Sequence, residues 1–247
     1  MGELIVPEEV LEGVLTPREV LPNFFTINGN SFTEANGFAL DTPDTLVAFD
    51  LGSDKFLKRT ASHLDQISNG KKVILLATHH HADHIGGAMQ AKEDRIIKEI
   101  WAPEPESDLT LRSQTASFLY DIYPEKARID RYLKDEDILQ FGDTTIEVIG
   151  TPGHTKNHIS YLIHRPGHTP FMILGDLLGG VSDEIGSNRA EQVHSALKIK
   201  DIPFTHFVEG HGGINKAATH DYYDNMIQGI GEQLTPGFIT LADQLRR

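Results

Sequence analysis

Residues Thr78 to Gly87 read Thr-His-His-His-Ala-Asp-His-Ile-Gly-Gly, a run of side chains suited to holding a metal ion. His79 and His81 stand two apart, so in extended backbone they project to one side while His80 between them points the other way. Asp83 and His84 follow at the mouth of a helix predicted through Ile85 and Met89, placed to face the same point. One short segment thus offers four ligands. Imidazole nitrogens and carboxylate oxygens suit zinc, and also iron or manganese; the thiolate option is absent because the chain has no cysteine. A solvated histidine-rich loop is the plain alternative. Such tracts seldom embed an Asp, follow a buried strand and end in Gly-Gly.

Three more potential ligands share one structural address. Val73 to Ala77 is a short apolar run with β-branched members that reads as a strand buried on both faces, and the histidine cluster lies just past it. His154 follows the strand predicted over Thr144 to Ile149, Asp176 follows Phe171 to Leu174, and His211 follows Phe204 to Val208. Polar side chains presented at the same end of several strands converge on a common site. Any one of these residues alone is weak evidence; four addresses in order reinforce one another.

The elements that must position them are legible in outline. Phe24 to Ile27, Gly37 to Leu40 and Thr45 to Phe49, separated by turn residues, predict an antiparallel meander after an irregular or partly helical opening. An amphipathic helix runs from a cap at Ser53 or Asp54 through Phe56, Leu57, Ala61, Leu64 and Ile67 to Gly70. Another helix reaches about Ala91, a short strand covers Ile97 to Trp101, and Leu109 to Tyr123 is read as helical, its aromatic residues packing or walling a substrate. Ile129 to Tyr132 and Ile138-Leu139 lead into a second β-rich half with a strand from His158 to Ile163 and a helix from Arg189 to Leu197. Helices are expected over Ala217 to Ile230 and Gly237 to Leu245. With no linker and no repeat, residues 1–247 are expected to form a single domain, its core about 23–213 and its C-terminal helices within 217–245.

Composition narrows the function. The 247 residues carry a formal net charge of −14, which disfavours an extended nucleic-acid surface because phosphate binding relies on Lys and Arg. No apolar run is long enough to span a bilayer, and Met1 to Leu15 lacks the basic start of a secretory signal, so no membrane partner and a cytoplasmic location are expected. A small-molecule substrate remains the expected partner; the oligomeric state is not indicated.

His79-x-His81-x-Asp83-His84, Thr151-Pro152-Gly153-His154-Thr155, Gly175-Asp176 and Gly210-His211-Gly212 stand in the order of the metallo-β-lactamase-fold hydrolases, and the chain resembles that superfamily from about Asn23 to Gly213. Asp50-Leu51-Gly52 resembles the family's acidic turn. The resemblance implies an α+β fold, a four-layer αββα sandwich, with two divalent metal ions at one edge, zinc first and iron or manganese as alternatives. By the same resemblance His79, His81 and His154 would hold one ion and Asp83, His84 and His211 the other, with Asp176 bridging. Such a pair generates hydroxide at neutral pH and polarises a carbonyl, and Asp83 can act in catalysis by holding the proton given up.

The motifs look most like the glyoxalase II branch and its thioesterase and lactonase relatives, which implies hydrolysis of a small carbonyl ester, thioester or lactone. The few dozen residues after His211 fall short of that branch's glutathione-binding segment, which points away from glutathione thioesters. A mononuclear iron oxygenase like the persulfide dioxygenases, or a β-lactam hydrolase of the same fold, are the alternatives. His158 is open between hydrogen-bonding a ligand or substrate and lying half-buried. His80 is read as structural, and His63, His164, His168, His194, His206 and His220 as ordinary.

Overall fold

A computed structural model describes residues 17–28, 34–53, 57–117, 128–211, 218–221, 223 and 227. Among the described residues, thirteen strands form two sheets. The first orders β1 (Arg18–Leu21), β2 (Phe24–Asn28), β3 (Gly37–Asp41), β4 (Thr45–Phe49), β5 (Lys72–Leu76), β6 (Glu99–Pro103) and β7 (Arg131–Leu133) side by side in sequence order. The second runs β13 (Ala218–Thr219), β12 (His206–Val208), β11 (Phe171–Ile173), β10 (Ile159–His164), β9 (Thr144–Gly150) and β8 (Ile138–Phe141). The meander is antiparallel through β4, after which β4, β5, β6 and β7 pair in parallel.

Period-two alternation builds the layers. Val47, Phe49, Ile74 and Leu76 point inward to meet Ile146, Val148, Tyr161, Ile163 and Phe171 of the other sheet, forming the core between the sheets. Their neighbours Leu46, Ala48, Val73 and Leu75 point outward, where Leu57 and Leu64 of α1 (Leu57–Ser68) cover them. On the far side, Leu162, Met172 and Phe207 pack with Ile199 of α5 (Arg189–Lys200). Helix, sheet, sheet and helix follow one another, which is the expected αββα sandwich. Asn188 caps α5 by accepting the amides of Ala190 and Glu191.

Several elements differ from the sequence reading. β1, expected to be irregular or helical, pairs with β2. The helix after the histidines is two, α2 (Ala82–Ile85) and α3 (Ala88–Glu93), because Gly86 and Gly87 interrupt it. Of the segment Leu109 to Tyr123, the described residues 109–117 contain the short helix α4 (Leu111–Gln114), and Phe118, Tyr120 and Tyr123 lie outside the described residues. Ala218 and Thr219, expected to be helical, pair with Phe207 and His206, since an open sheet edge outweighs local helix preference. Gly237 to Leu245 lies outside the described residues.

Candidate metal centre

The loops after β4, β5, β9, β11 and β12 meet at one edge of the sandwich. His79, His81, Asp83, His84 and His154 are all buried there, together with Asp176. His211 is partly exposed. Among the described residues, ligand atoms of His79, His81 and His154 gather within 4.8 Å of one another, and so do those of Asp83, His84 and His211. A third such group, His79, His84 and Asp176, links these two. Asp176 Oδ2 lies 3.4 Å from His154 Nε2 and 3.5 Å from His211 Nε2, while its Oδ1 lies 3.4 Å from His84 Nε2. One carboxylate therefore reaches both groups. The structure brings together all seven residues that the sequence singled out, and it turns His80 away, its Nε2 bonded to the Pro103 carbonyl at 2.8 Å.

Hydrogen bonds aim the rings. His84 Nδ1 donates to Asp50 Oδ2 at 2.8 Å, and His154 Nδ1 donates to the Gly180 carbonyl at 2.7 Å. Thr78 donates its hydroxyl to Asp50 Oδ2 at 2.9 Å, so at 2.9 Å from His79 Nδ1 the same oxygen accepts the ring N–H. In each case Nδ1 is committed to the protein and Nε2 faces the cluster, the arrangement that fixes metal-binding histidines elsewhere. Asp50 is the residue that sequence reasoning undervalued, noticed only as part of a turn; its signal in sequence was an acid immediately after a buried strand, and in the structure it adopts a φ of 48°.

The residues fit divalent ions on a direct observation. His79 Nε2, His84 Nε2, Asp176 Oδ1 and Asp83 Oδ1 are buried without a hydrogen-bond partner among the described residues. Stranding that many polar atoms in a protein interior is costly unless something positively charged satisfies them. Electrostatics agree. Burial, then the neighbouring histidines, hold His79 well below its ordinary pKa, and burial does the same for His81, leaving neutral rings suited to ligation. Burial opposes a proton on His84, yet Asp176, Asp50 and Asp83 outweigh it and push that ring well above its ordinary value, so the acid-rich half attracts a cation. Glu209, at the rim, is pushed up to about 7 by burial and by Asp176.

Close backbone approach completes the site. A Cβ on Gly210 would stand 2.1 Å from Asp176 Oδ1 and 2.7 Å from His84 Cε1. Only glycine lets the β12 loop pass this near to the carboxylate.

Comparison with known proteins places the fold. The sequence pattern of the metallo-beta-lactamase superfamily matches residues 35–217. The chain belongs to the metallo-beta-lactamase superfamily. Within it, the chain is 30% identical over 173 residues to hydroxyacylglutathione hydrolase GloC of Haemophilus influenzae, covering 63% of this chain and 75% of that one. It is 33% identical over 88 residues to a hydroxyacylglutathione hydrolase of Rhodopseudomonas palustris, a match that covers 36% of this chain and 28% of the relative. Among solved structures, BJP-1, a subclass B3 metallo-beta-lactamase of Bradyrhizobium japonicum, superposes with a TM-score of 0.70 at 16% identity, over 96% of this chain and 99% of that one. At such identity the likeness concerns the fold. The superfamily and the relatives named as hydroxyacylglutathione hydrolases support a hydrolase class, and no helix among the described residues is long and apolar enough to cross a membrane.

Proposed function

We propose that this chain is a dinuclear metallohydrolase that cleaves small acyl thioesters, with esters and lactones as related substrates. The observation that carries the reading is Asp176, whose carboxylate lies within 3.5 Å of histidine nitrogens from both halves of the cluster. His79, His81 and His154 would hold one ion, Asp83, His84 and His211 the other, and Asp176 both. Zinc suits this nitrogen and oxygen set, with iron or manganese as alternatives. When bound, the ions acidify water and polarise the substrate carbonyl.

The protein's own residues supply the rest. Asp50 and the Gly180 carbonyl hold the rings of His84 and His154 in place, and the buried walls exclude bulk solvent. Asp83 Oδ2 lies 2.8 Å from His211 Nε2, and its Oδ1 has no partner among the described residues. That carboxylate would hold the proton released as water attacks the carbonyl carbon. A C–O bond forms, the C–S bond breaks, and the sulfur leaves as a thiolate without first needing a proton, unlike the amine of a lactam. Relatives named as hydroxyacylglutathione hydrolases support the thioester over the lactam.

The test is elemental analysis of untagged protein followed by a screen of acyl thioesters, lactones, β-lactams and phosphodiesters, with Asp83→Ala as control. The expected result is about two metal ions per chain and fastest turnover of a thioester. Iron alone with oxygen uptake on persulfides, or phosphodiester cleavage outpacing every acyl substrate, would overturn it.

A further inference from the structure

We infer that His158 is a positioning residue, a neutral imidazole protonated on Nδ1 that holds Asp176 in the cluster by accepting its backbone N–H. The amide of Asp176 lies 3.1 Å from His158 Nε2, and an amide can only donate, so that nitrogen carries a lone pair. A neutral ring has one N–H, which must then sit on Nδ1, 2.8 Å from Thr151 Oγ1.

The other end of the chain of bonds gives the same direction independently. Ser160 spends its single hydroxyl hydrogen on the Leu174 carbonyl at 3.1 Å. Across the 2.9 Å contact between the two hydroxyls, Thr151 must therefore donate to Ser160. Its oxygen is left to accept from His158. Thr151, His158 and Ser160 are all buried, which keeps these bonds within the protein.

Both ring nitrogens are thereby committed to the protein, so His158 is neither a ligand nor a proton carrier. It works through Asp176, and it ties three ligand-bearing loops together. The Thr151 amide donates to the His158 carbonyl at 2.9 Å on the loop leading to His154, and the Ile159 amide donates to the Thr78 carbonyl at 3.0 Å, next to His79. Gly175, at φ +56°, makes the approach possible: a Cβ there would lie 2.8 Å from His158 Nε2 and 2.7 Å from Thr78 Cβ. The consequence for metal rests on the proposed function, because it takes Asp176 as a ligand; the direction of the hydrogen bond does not.

Two measurements test the inference separately. In metal-free protein labelled with nitrogen-15 at histidine, the His158 ring, assigned by its disappearance in His158→Gln, should show the tautomer protonated on Nδ1. A proton on Nε2 would overturn the assignment whether or not any variant folds. Zinc affinity is then measured by chelator competition. His158→Gln keeps an acceptor near the position of Nε2 and should stay within about threefold of the parent, whereas His158→Asn and Thr151→Val should lose roughly ten- to a hundredfold, the range for disturbed ligand supports. Equal losses in the Gln and Asn variants would overturn the positioning role. Failure of the parent itself to take up zinc, iron or manganese would count against the proposed function and against this role in metal binding, while the nitrogen spectrum still decides the bond direction.

Discussion

Asp50 Oδ2 accepts both the Nδ1–H of His84, at 2.8 Å, and the hydroxyl of Thr78, at 2.9 Å, while Asp50 Oδ1 accepts the Thr78 amide at 2.8 Å. One buried carboxylate at the end of β4 thus orients a ring directly and a second ring, His79, through Thr78. Replacing Asp50 with Asn keeps the shape but faces His84 or Thr78 with a donor. Zinc affinity, followed by chelator competition, should fall about ten- to a hundredfold, as for other supports of metal ligands. An unchanged affinity would show that the rings are held by packing alone.

Asp176 and His80 provide a matched contrast. Asp176→Asn should depress metal retention and turnover by more than about tenfold, because its carboxylate serves both halves of the cluster. His80→Ala removes a ring that bonds the Pro103 carbonyl and should leave metal content close to that of the parent. Metal analysis of the two variants decides the matter, and equal losses would mean that His80 shares in the site.

Gly210→Ala tests the close approach of the β12 loop. A Cβ 2.1 Å from Asp176 Oδ1 must displace the carboxylate or the loop, so metal content should drop while the circular dichroism spectrum stays close to the parent's. Full metal occupancy in the folded variant would argue that the loop yields easily.

Tyr161 tests the link between core and site. Its buried hydroxyl donates to the Ala77 carbonyl at 2.6 Å, just before the histidine cluster. Tyr161→Phe leaves that carbonyl short of a donor and should cost about 1–2 kcal/mol in urea unfolding. A change below about 0.5 kcal/mol would indicate a replacement partner.

Glu34, which is not itself one of the seven candidate ligands, makes a pH prediction. Burial raises its pKa, against the bonds from Ser53 and Asn28, and Asp83 adds to the rise. A folded pKa above the unfolded one means that the folded state holds its proton more tightly. Its contribution is fully present below the unfolded pKa and is lost as pH rises through the folded one. Unfolding free energy of the parent, compared with Glu34→Gln, should therefore decline across that window; a parallel pair of pH profiles would count against it.

How much of this was legible in sequence depended on whether the governing interactions were local. The parallel strand Lys72–Leu76 was visible as the apolar run that starts at Val73 and is buried on both faces, and the meander through Thr45–Phe49 as apolar stretches parted by turn residues. His79, His81, Asp83 and His84 were visible because one short segment holds them, and His154, Asp176 and His211 because each follows an apolar strand and belongs to a motif in family order. Sequence spacing alone said nothing of distance between strand ends. Only tertiary structure put His154 Nε2 3.0 Å from His81 Nδ1 across 73 positions, and Asp176 between the two groups. The pairing of Ala218 and Thr219 with β12, against their expected helix, was likewise decided by a sheet edge formed elsewhere in the chain. His158 was undecided in sequence for the same reason: its role lies in which groups its two nitrogens meet, and those partners come from Thr151 and Asp176 on neighbouring loops.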